Sequence, residues 1–212
     1  LQVKFNIRQE ERNREFKSPS YSLSVMSGDY KGIKVWTSFS RNYRMPTFND
    51  LYWVDGFSMG NPDLKDEYSY SEDLNLSWIK AFRKTDVSFN ASAYYQKLFN
   101  MIQWLPNNQG IWSPTNHQEV LSQGVEARAQ VSMKLKAVKL NLKANYQYTS
   151  STLKASTNQD ESNLNNQLIY TPKHQASSSL NIVYKGFYLG CQQNLFGSRF
   201  TNMDNLEVNS LP

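Results

Sequence analysis

Residues 125–148 read VEARAQVSMKLKAVKLNLKANYQY, and the spacing of apolar side chains along this stretch decides the fold. Val125, Ala127, Ala129, Val131, Met133 and Leu135 take alternate positions, with Glu126, Arg128, Gln130, Ser132, Lys134 and Lys136 between them. Successive side chains of a strand point to opposite faces, so a period of two describes a strand with one apolar and one polar face. After a tight connection the pattern resumes, with Val138, Leu140, Leu142, Ala144, Tyr146 and Tyr148 set against Lys139, Asn141, Lys143, Asn145, Gln147 and Thr149. Two adjacent long strands make a hairpin. Working outward, the same alternation occurs at Leu74, Leu76 and Trp78 and at Val87, Phe89, Ala91, Ala93 and Tyr95. Weaker cases run from Tyr21 to Val25, Ile33 to Phe39, Leu180 to Tyr184 and Phe187 to Leu195.

The reading predicts about nine strands, at 2–8, 19–27, 32–41, 67–80, 86–104, 117–134, 138–152, 172–185 and 187–198, with almost no helix. Strands of soluble proteins usually run ~5–6 residues, whereas a strand tilted across a bilayer needs ~9–11, and most of these meet the longer requirement. The connections alternate: long at 9–18, 42–66, 105–116 and 153–171, short at 28–31, 81–85, 135–137 and 186. In an up-and-down barrel this parity gathers every short turn at one rim and every long loop at the other. A soluble ligand-binding β-sandwich is the competing architecture, and its Greek-key crossovers give no reason for such parity. The expected class is therefore all-β, an antiparallel up-and-down transmembrane β-barrel. Trp78, Phe82, Trp104, Tyr146, Tyr148, Tyr184 and Phe187, near strand ends, would supply interfacial girdles.

Composition agrees. Hydrophobic residues make up 39% of the 212-residue chain, below the usual ~45–50%, but aromatics reach 14%, which excludes a disordered chain. Apolar runs fall far short of the ~18–20 residues of a spanning helix, leaving strands as the only way across a membrane. The single cysteine, Cys191, excludes an internal disulfide and a cysteine-based metal site.

The segment SRNYRMPTFNDLYW, residues 40–53, followed by GNPDLKDEYSYSEDL, residues 60–74, resembles the barrel of TonB-dependent outer-membrane receptors. Arg44, Pro46 and Thr47 match that family's Arg–x–Pro–Thr stretch, and Gly60, Asn61, Pro62, Leu64 and Glu67 match its Gly–Asn–Pro–x–Leu–x–Pro–Glu stretch. Asp66 departs from the pattern where the family has Pro. Asn116 and the Gly124, Val125, Glu126 triplet resemble its next landmark, so the likeness covers roughly 40–150. PTFNDLYW is most similar to the cobalamin receptor subfamily, with siderophore receptors close behind. The resemblance implies a 22-stranded barrel filled by an N-terminal plug. Nine strands are an odd number and do not close, so residues 1–212 are expected to be a partial barrel, a contiguous piece of wall without the plug and the remaining strands. It also implies binding of cobalamin, or of a ferric siderophore or haem, on the outer side of the membrane. TonB, the energy-supplying partner, would act through a segment outside this chain, and outer-membrane lipid would surround the wall.

Other chemistries find little support. His117 and His174 are far apart with no HExxH, and no GxSxG, GxxxxGK[ST] or GxGxxG occurs, so no catalytic residue, metal ligand or cofactor is nominated and the chain is not read as an enzyme. A hydrolase built on a Ser and His174 has nothing to fix its geometry. Lys134, Lys136, Lys139 and Lys143 flank one tight turn on the polar face and read as a solvated lumen or rim rather than a nucleic-acid site. The sequons at Asn75 and Asn90 fall inside strands. Glu67, Glu72, Glu126 and Arg128 are expected to serve structure, with Glu72 above the hydrocarbon and close to Arg44. The loop at 42–66 combines aromatics with hydrogen-bonding groups, as a large, partly polar ligand requires. Tyr43, Arg44, Tyr52 and Trp53, together with Trp104 and Trp112 from the next loop, are the ligand-binding candidates. The competing role is a cover over the barrel mouth.

Overall fold

Lys136, at φ +52°, and Ala137 form the two-residue turn that returns the chain after Leu135, and the register then pairs Leu135 with Val138, Val131 with Leu142 and Val125 with Tyr148. A left-handed residue in a two-residue turn matches the twist of the strands it joins. Because the apolar positions of one strand pair with those of the other, the apolar side chains of both strands share one face, and a slip of one residue would turn them all over.

The computed structural model describes residues 1–12, 15–16, 18–107, 109–155 and 161–211. Its main sheet has nine antiparallel strands in sequential order. They are β1 (Gln2–Arg8), β2 (Ser20–Met26), β3 (Ile33–Arg44), β4 (Glu67–Phe82), β5 (Thr85–Pro106), β6 (Trp112–Leu135), β7 (Val138–Ala155), β8 (His174–Tyr184) and β9 (Phe187–Phe196). The sheet does not close: β1 and β9 each pair on one side only, so this is a partial barrel. Residues 13, 14 and 17 of the connection expected at 9–18, residue 108 of that at 105–116, and residues 156–160 of that at 153–171 lie outside the described residues.

Burial reverses the pattern of a soluble sheet. Leu74, Val125 and Leu142 are 57%, 47% and 44% exposed, while Asn75, Asn141 and Asn145 between their neighbours are half-buried. The polar face is concave. One groove there, of about 470 Å³, draws its lining from seven strands and includes Asn75, Asn90, Glu126, Arg128, Asn145 and Gln147. Arg128 Nε donates to Asn145 Oδ1 at 2.9 Å and Asn145 Nδ2 to Ser177 Oγ at 3.0 Å, a polar row running across three strands. A sandwich would have buried Val125 and Leu142 between two sheets; a single sheet with its apolar face outward excludes it.

Three expectations need correction. The connection drawn at 105–116 is mostly ladder, with Trp104 opposite Pro114 and Pro106 opposite Trp112, so β5 and β6 stand well above their neighbours and only 107–111 joins them. Pro106 and Pro114 both lie in the part of β5 and β6 above their neighbours, and proline is tolerated in a strand where its missing N–H is not needed by a neighbouring strand. Glu72 is not near Arg44. It lies opposite Phe39 and Tyr95 on the outward face, whereas Arg44 Nη2 meets Glu67 Oε2 at 3.1 Å, because β3 and β4 set Arg44 directly across from Glu67. Finally, the stretch from 153 to 171 is not only a loop. Leu168 N–H donates to Ser151 O at 2.8 Å, and Val120, Leu153 and Leu168 form a buried cluster with Leu98, Met101, Leu164 and Met203 around it. The principal apolar core among the described residues thus sits at the long-loop rim, where a returning segment covers the wall.

Candidate functional site

The loop between β3 and β4 is a strap built from the matching motif residues. Thr47 caps a short helix, α1 (Phe48–Tyr52), through a capping box. Thr47 Oγ1 accepts from Asp50 N–H at 3.2 Å and Asp50 Oδ2 accepts from Thr47 N–H at 2.8 Å, so each satisfies a donor that the helix start leaves free. Asp50 is 7% exposed, and its other oxygen, Oδ1, accepts from Trp104 Nε1 at 2.9 Å. Arg44 Nη1 stands 3.7 Å from Asp50 Oδ2. Burial alone would raise the pKa of this carboxyl. The bonds from the Thr47 side chain and backbone and from Trp104, with the Arg44 charge, outweigh it and hold the pKa below the ordinary carboxylate value.

Beyond α1 the chain reaches the far side of the β5–β6 hairpin. Met59 N–H donates to Trp112 O and Trp112 N–H to Phe57 O, each at 2.8 Å, and Asn61 Nδ2 donates to Pro114 O at 3.2 Å. These are backbone groups of β6 above the last β7 partner, Ala155. Gly60 lies so close to the helix that an added Cβ would come within 2.7 Å of Leu51 C and Tyr52 N. The exit is pinned at three residues, Lys65, Asp66 and Glu67. Asn116 Oδ1 accepts from Lys65 N–H at 2.9 Å, and Glu67 Oε2 accepts from Ile102 N–H at 2.9 Å while pairing with Arg44. Asn100 Nδ2 also donates to the carbonyl of Asp66 at 3.2 Å. The exit where the pattern has Pro is therefore held from both sides without it.

The nominated residues divide into three groups. Trp53 and Trp104 flank Asp50 around an open hollow of about 390 Å³ that Thr47, Asn49 and Ser58 also line. Trp53 Nε1 donates to Asp55 Oδ2 at 3.0 Å, and Tyr52, beside Phe48 at a ring separation of 5.0 Å, is exposed. Trp112 contributes backbone to the strap, and Arg44 braces it. Tyr43 stands apart on the outward face, opposite Tyr68, with its hydroxyl donating to Glu10 Oε2 at 2.5 Å. Sequence reasoning missed Asp50, the hub, although Thr47 followed three residues later by an acid is a capping-box signal. Gly124, singled out by its motif position, has its reason in the wall: an added Cβ would meet Tyr148 O at 2.2 Å and Tyr94 Oη at 2.7 Å, because the Tyr94 hydroxyl crosses it to reach Thr149 Oγ1 at 3.0 Å.

The two histidines are engaged. His117 Nε2 meets Gln103 Oε1 at 2.9 Å, and burial pushes the imidazole below its ordinary pKa; His174 Nδ1 meets Tyr146 Oη at 2.9 Å. Among the described residues no group of three or more His, Cys, Asp or Glu side chains is placed to hold a metal.

A single up-and-down sheet, apolar outside and polar inside, with its loops strapped over one rim, is the wall of an outer-membrane type of barrel. More narrowly, the chain belongs to the TonB-dependent receptor-like β-barrel family, which it matches over residues 3–210. It is 34% identical over 108 residues to a vitamin B12 transporter BtuB of Vibrio vulnificus, half of this chain and 16% of that protein. A second BtuB, of Photobacterium profundum, is 28% identical over 132 residues, 60% of this chain and 21% of that protein. The chain thus spans about a fifth or less of these relatives. Among solved structures it resembles the copper transporter OprC, with a TM-score of 0.62 at 15% identity over 85% of this chain and 26% of that one. It also resembles the ferric yersiniabactin uptake receptor FyuA of Yersinia pestis, with a TM-score of 0.58 at 18% identity over 90% and 28%.

Proposed function

We propose that this chain is part of an outer-membrane receptor that binds a scarce nutrient on the long-loop side and imports it with energy delivered by TonB through a part of the protein outside residues 1–212. The observation that carries the reading is the strap. It spends a capping box, a buried carboxylate and a glycine contact on holding Tyr52 and Trp53 out at the mouth, beside Trp104. Rigid aromatics on a fixed loop suit a large ligand, since Tyr and Trp offer much contact area for two side-chain torsions each. A corrinoid such as cobalamin is favoured over a ferric siderophore or haem, supported by the likeness of PTFNDLYW to the cobalamin receptors and by the two BtuB relatives. The wall contributes passage and shape and no reaction, so its role is transport and not catalysis. Growth of a strain lacking the full-length receptor decides between ligands: a raised cobalamin requirement with an unchanged iron requirement is expected. An unchanged cobalamin requirement would remove the favoured ligand.

A further inference from the structure

The opposite rim carries a feature that nutrient capture does not use. Four short turns, at 27–32, 83–84, 136–137 and 185–186, gather there. Counting each turn with three strand residues on either side, the first holds Lys31 and Lys34 with Asp29, and the second holds Lys80, Arg83 and Lys84 with Asp86. The third holds Lys134, Lys136 and Lys139, and the fourth Lys185. Nine cations face two acids, a net +7, whereas the whole chain is only +5. The basic excess of the protein therefore lies entirely on this rim, and the remainder is net negative.

Little inside the protein neutralises it. Lys34 lies 3.7 Å from Asp29, but among the described residues no ion pair is recorded for the other eight. Lys134 and Lys139 face each other directly across the hairpin, an arrangement of like charges that destabilises a sheet unless something else compensates. Three of the four turns also repeat one device. The Lys31 ammonium stands 5.2 Å from the centre of the Tyr30 ring, Lys80 5.3 Å from that of Phe82 and Lys185 5.4 Å from that of Tyr184. Phe82 and Tyr184 belong to the outward apolar face, in register with Met133 and Leu140 and with Val138 and Phe187 respectively. The ammonium groups thus sit at the lower margin of the band that meets hydrocarbon, where aromatic rings mark the interface and where lipid phosphates are within a lysine's reach.

We propose that the short-turn rim is a collar for anionic phospholipid, binding the phosphodiester groups of the leaflet it meets through the turn lysines and Arg83, with the adjoining rings seated among the upper acyl carbons. A soluble acidic protein would be attracted by the same charge but would have no use for ammonium groups placed on aromatic rings at the edge of an apolar face. The inference goes beyond nutrient import and rests only on the wall being embedded.

The test uses the full-length receptor in nanodiscs of mixed phosphatidylcholine and phosphatidylglycerol, with the lipid retained on gentle extraction identified by native mass spectrometry. Phosphatidylglycerol should be enriched over phosphatidylcholine at low ionic strength, and the enrichment should collapse in high salt. A combined variant, Lys31→Gln, Lys80→Gln, Arg83→Gln, Lys84→Gln, Lys136→Gln and Lys185→Gln, should lose it by on the order of tenfold, while Lys→Arg replacement at the five lysines keeps it. Equal retention of the two lipids by the unmodified receptor, or undiminished enrichment in the Gln variant, overturns the proposal. So does capture of soluble polyglutamate without any lipid preference, which would assign the rim to an acidic protein. Heat-modifiable gel mobility separates the levels: a receptor that inserts normally but shows no preference sinks the collar alone, and one that fails to insert sinks the membrane reading beneath it.

Discussion

Replacing Asp50 with Ala removes the acceptor that organises the strap, and its cost follows from the contacts. The half of the capping box that the Asp50 carboxylate supplies goes, leaving the Thr47 N–H without its 2.8 Å acceptor, which costs about 1 kcal/mol. The indole N–H of Trp104, half-buried, loses its 2.9 Å acceptor, another ~1 kcal/mol at the low end for an unsatisfied donor. Arg44 keeps Glu67 and is 45% exposed, so its share is only a few tenths of a kcal/mol. A total of about 2–3 kcal/mol weakens the strap on the order of 10²-fold. The expected signature is local. Hydrogen exchange of amides in 47–61 should accelerate by that factor in the full-length receptor, and limited proteolysis should cut there. Amides of β4 to β7 below the rim should be unchanged, because the wall residues that Asp50 meets, Arg44 and Trp104, lie at the rim itself. Asp50→Asn, which retains an acceptor for Trp104 but offers Thr47 a donor, should fall between. Exchange within ~3-fold of the unmodified protein in Asp50→Ala would refute the claim that this carboxylate anchors the loop.

Gly60→Ala should loosen the same segment without touching Asp50, since the new methyl would collide with the backbone of Leu51 and Tyr52; hydrogen exchange reads it, and undisturbed protection would show that the close approach is not required. Tyr52→Ala with Trp53→Ala should lower ligand affinity by ~10-fold or more, measured by equilibrium binding, with normal folding; normal binding would leave the strap only a cover. Leu142→Arg, on the outward face, should cost ~2–4 kcal/mol in the folding equilibrium measured in lipid, whereas Asn145→Arg on the concave face should cost far less; equal costs would contradict the assigned faces. The buried His117 has a folded pKa below its ordinary 6.5, so the unfolded chain binds the proton more readily. The hairpin tip is then fully stable above that value and loses stability as pH falls through it. Exchange in 101–106 and 112–117, corrected for intrinsic rate, should rise between pH 7.5 and 5.5 and become flat in His117→Gln.

The wall was legible because a membrane strand is repetitive. Val125 to Leu135 and Val138 to Tyr148 obey one rule, the two faces meet different solvents, and a two-residue turn fixes the register, so local pattern and global placement coincide. The rim was less legible because its determinants are not periodic. Trp104 reads as the last residue of a strand and Trp112 as a residue of the loop after it, and the strap lying along β6 supports a ladder that continues past Glu119, where β7 ends its support. Asp50 is the clearest case. Its capping role is visible from Thr47, but its bond to Trp104 joins residues 54 apart, and no spacing rule relates them. Arg44 shows the same limit from the other direction. Its motif position was visible, yet its partner is Glu67, which faces it across the β3–β4 ladder, and not Glu72 five residues on. What the motif residues share is therefore not chemistry toward a ligand. Arg44, Thr47, Gly60, Asn61, Glu67 and Asn116 all spend their hydrogen bonds or their lack of a side chain on the strap itself, and on the proposed function the groups left over, Tyr52, Trp53 and Trp104, are those offered to a ligand. The matched motif positions thus build the platform, and Tyr52 and Trp53 lie between two of its fixed points, Thr47 and Gly60.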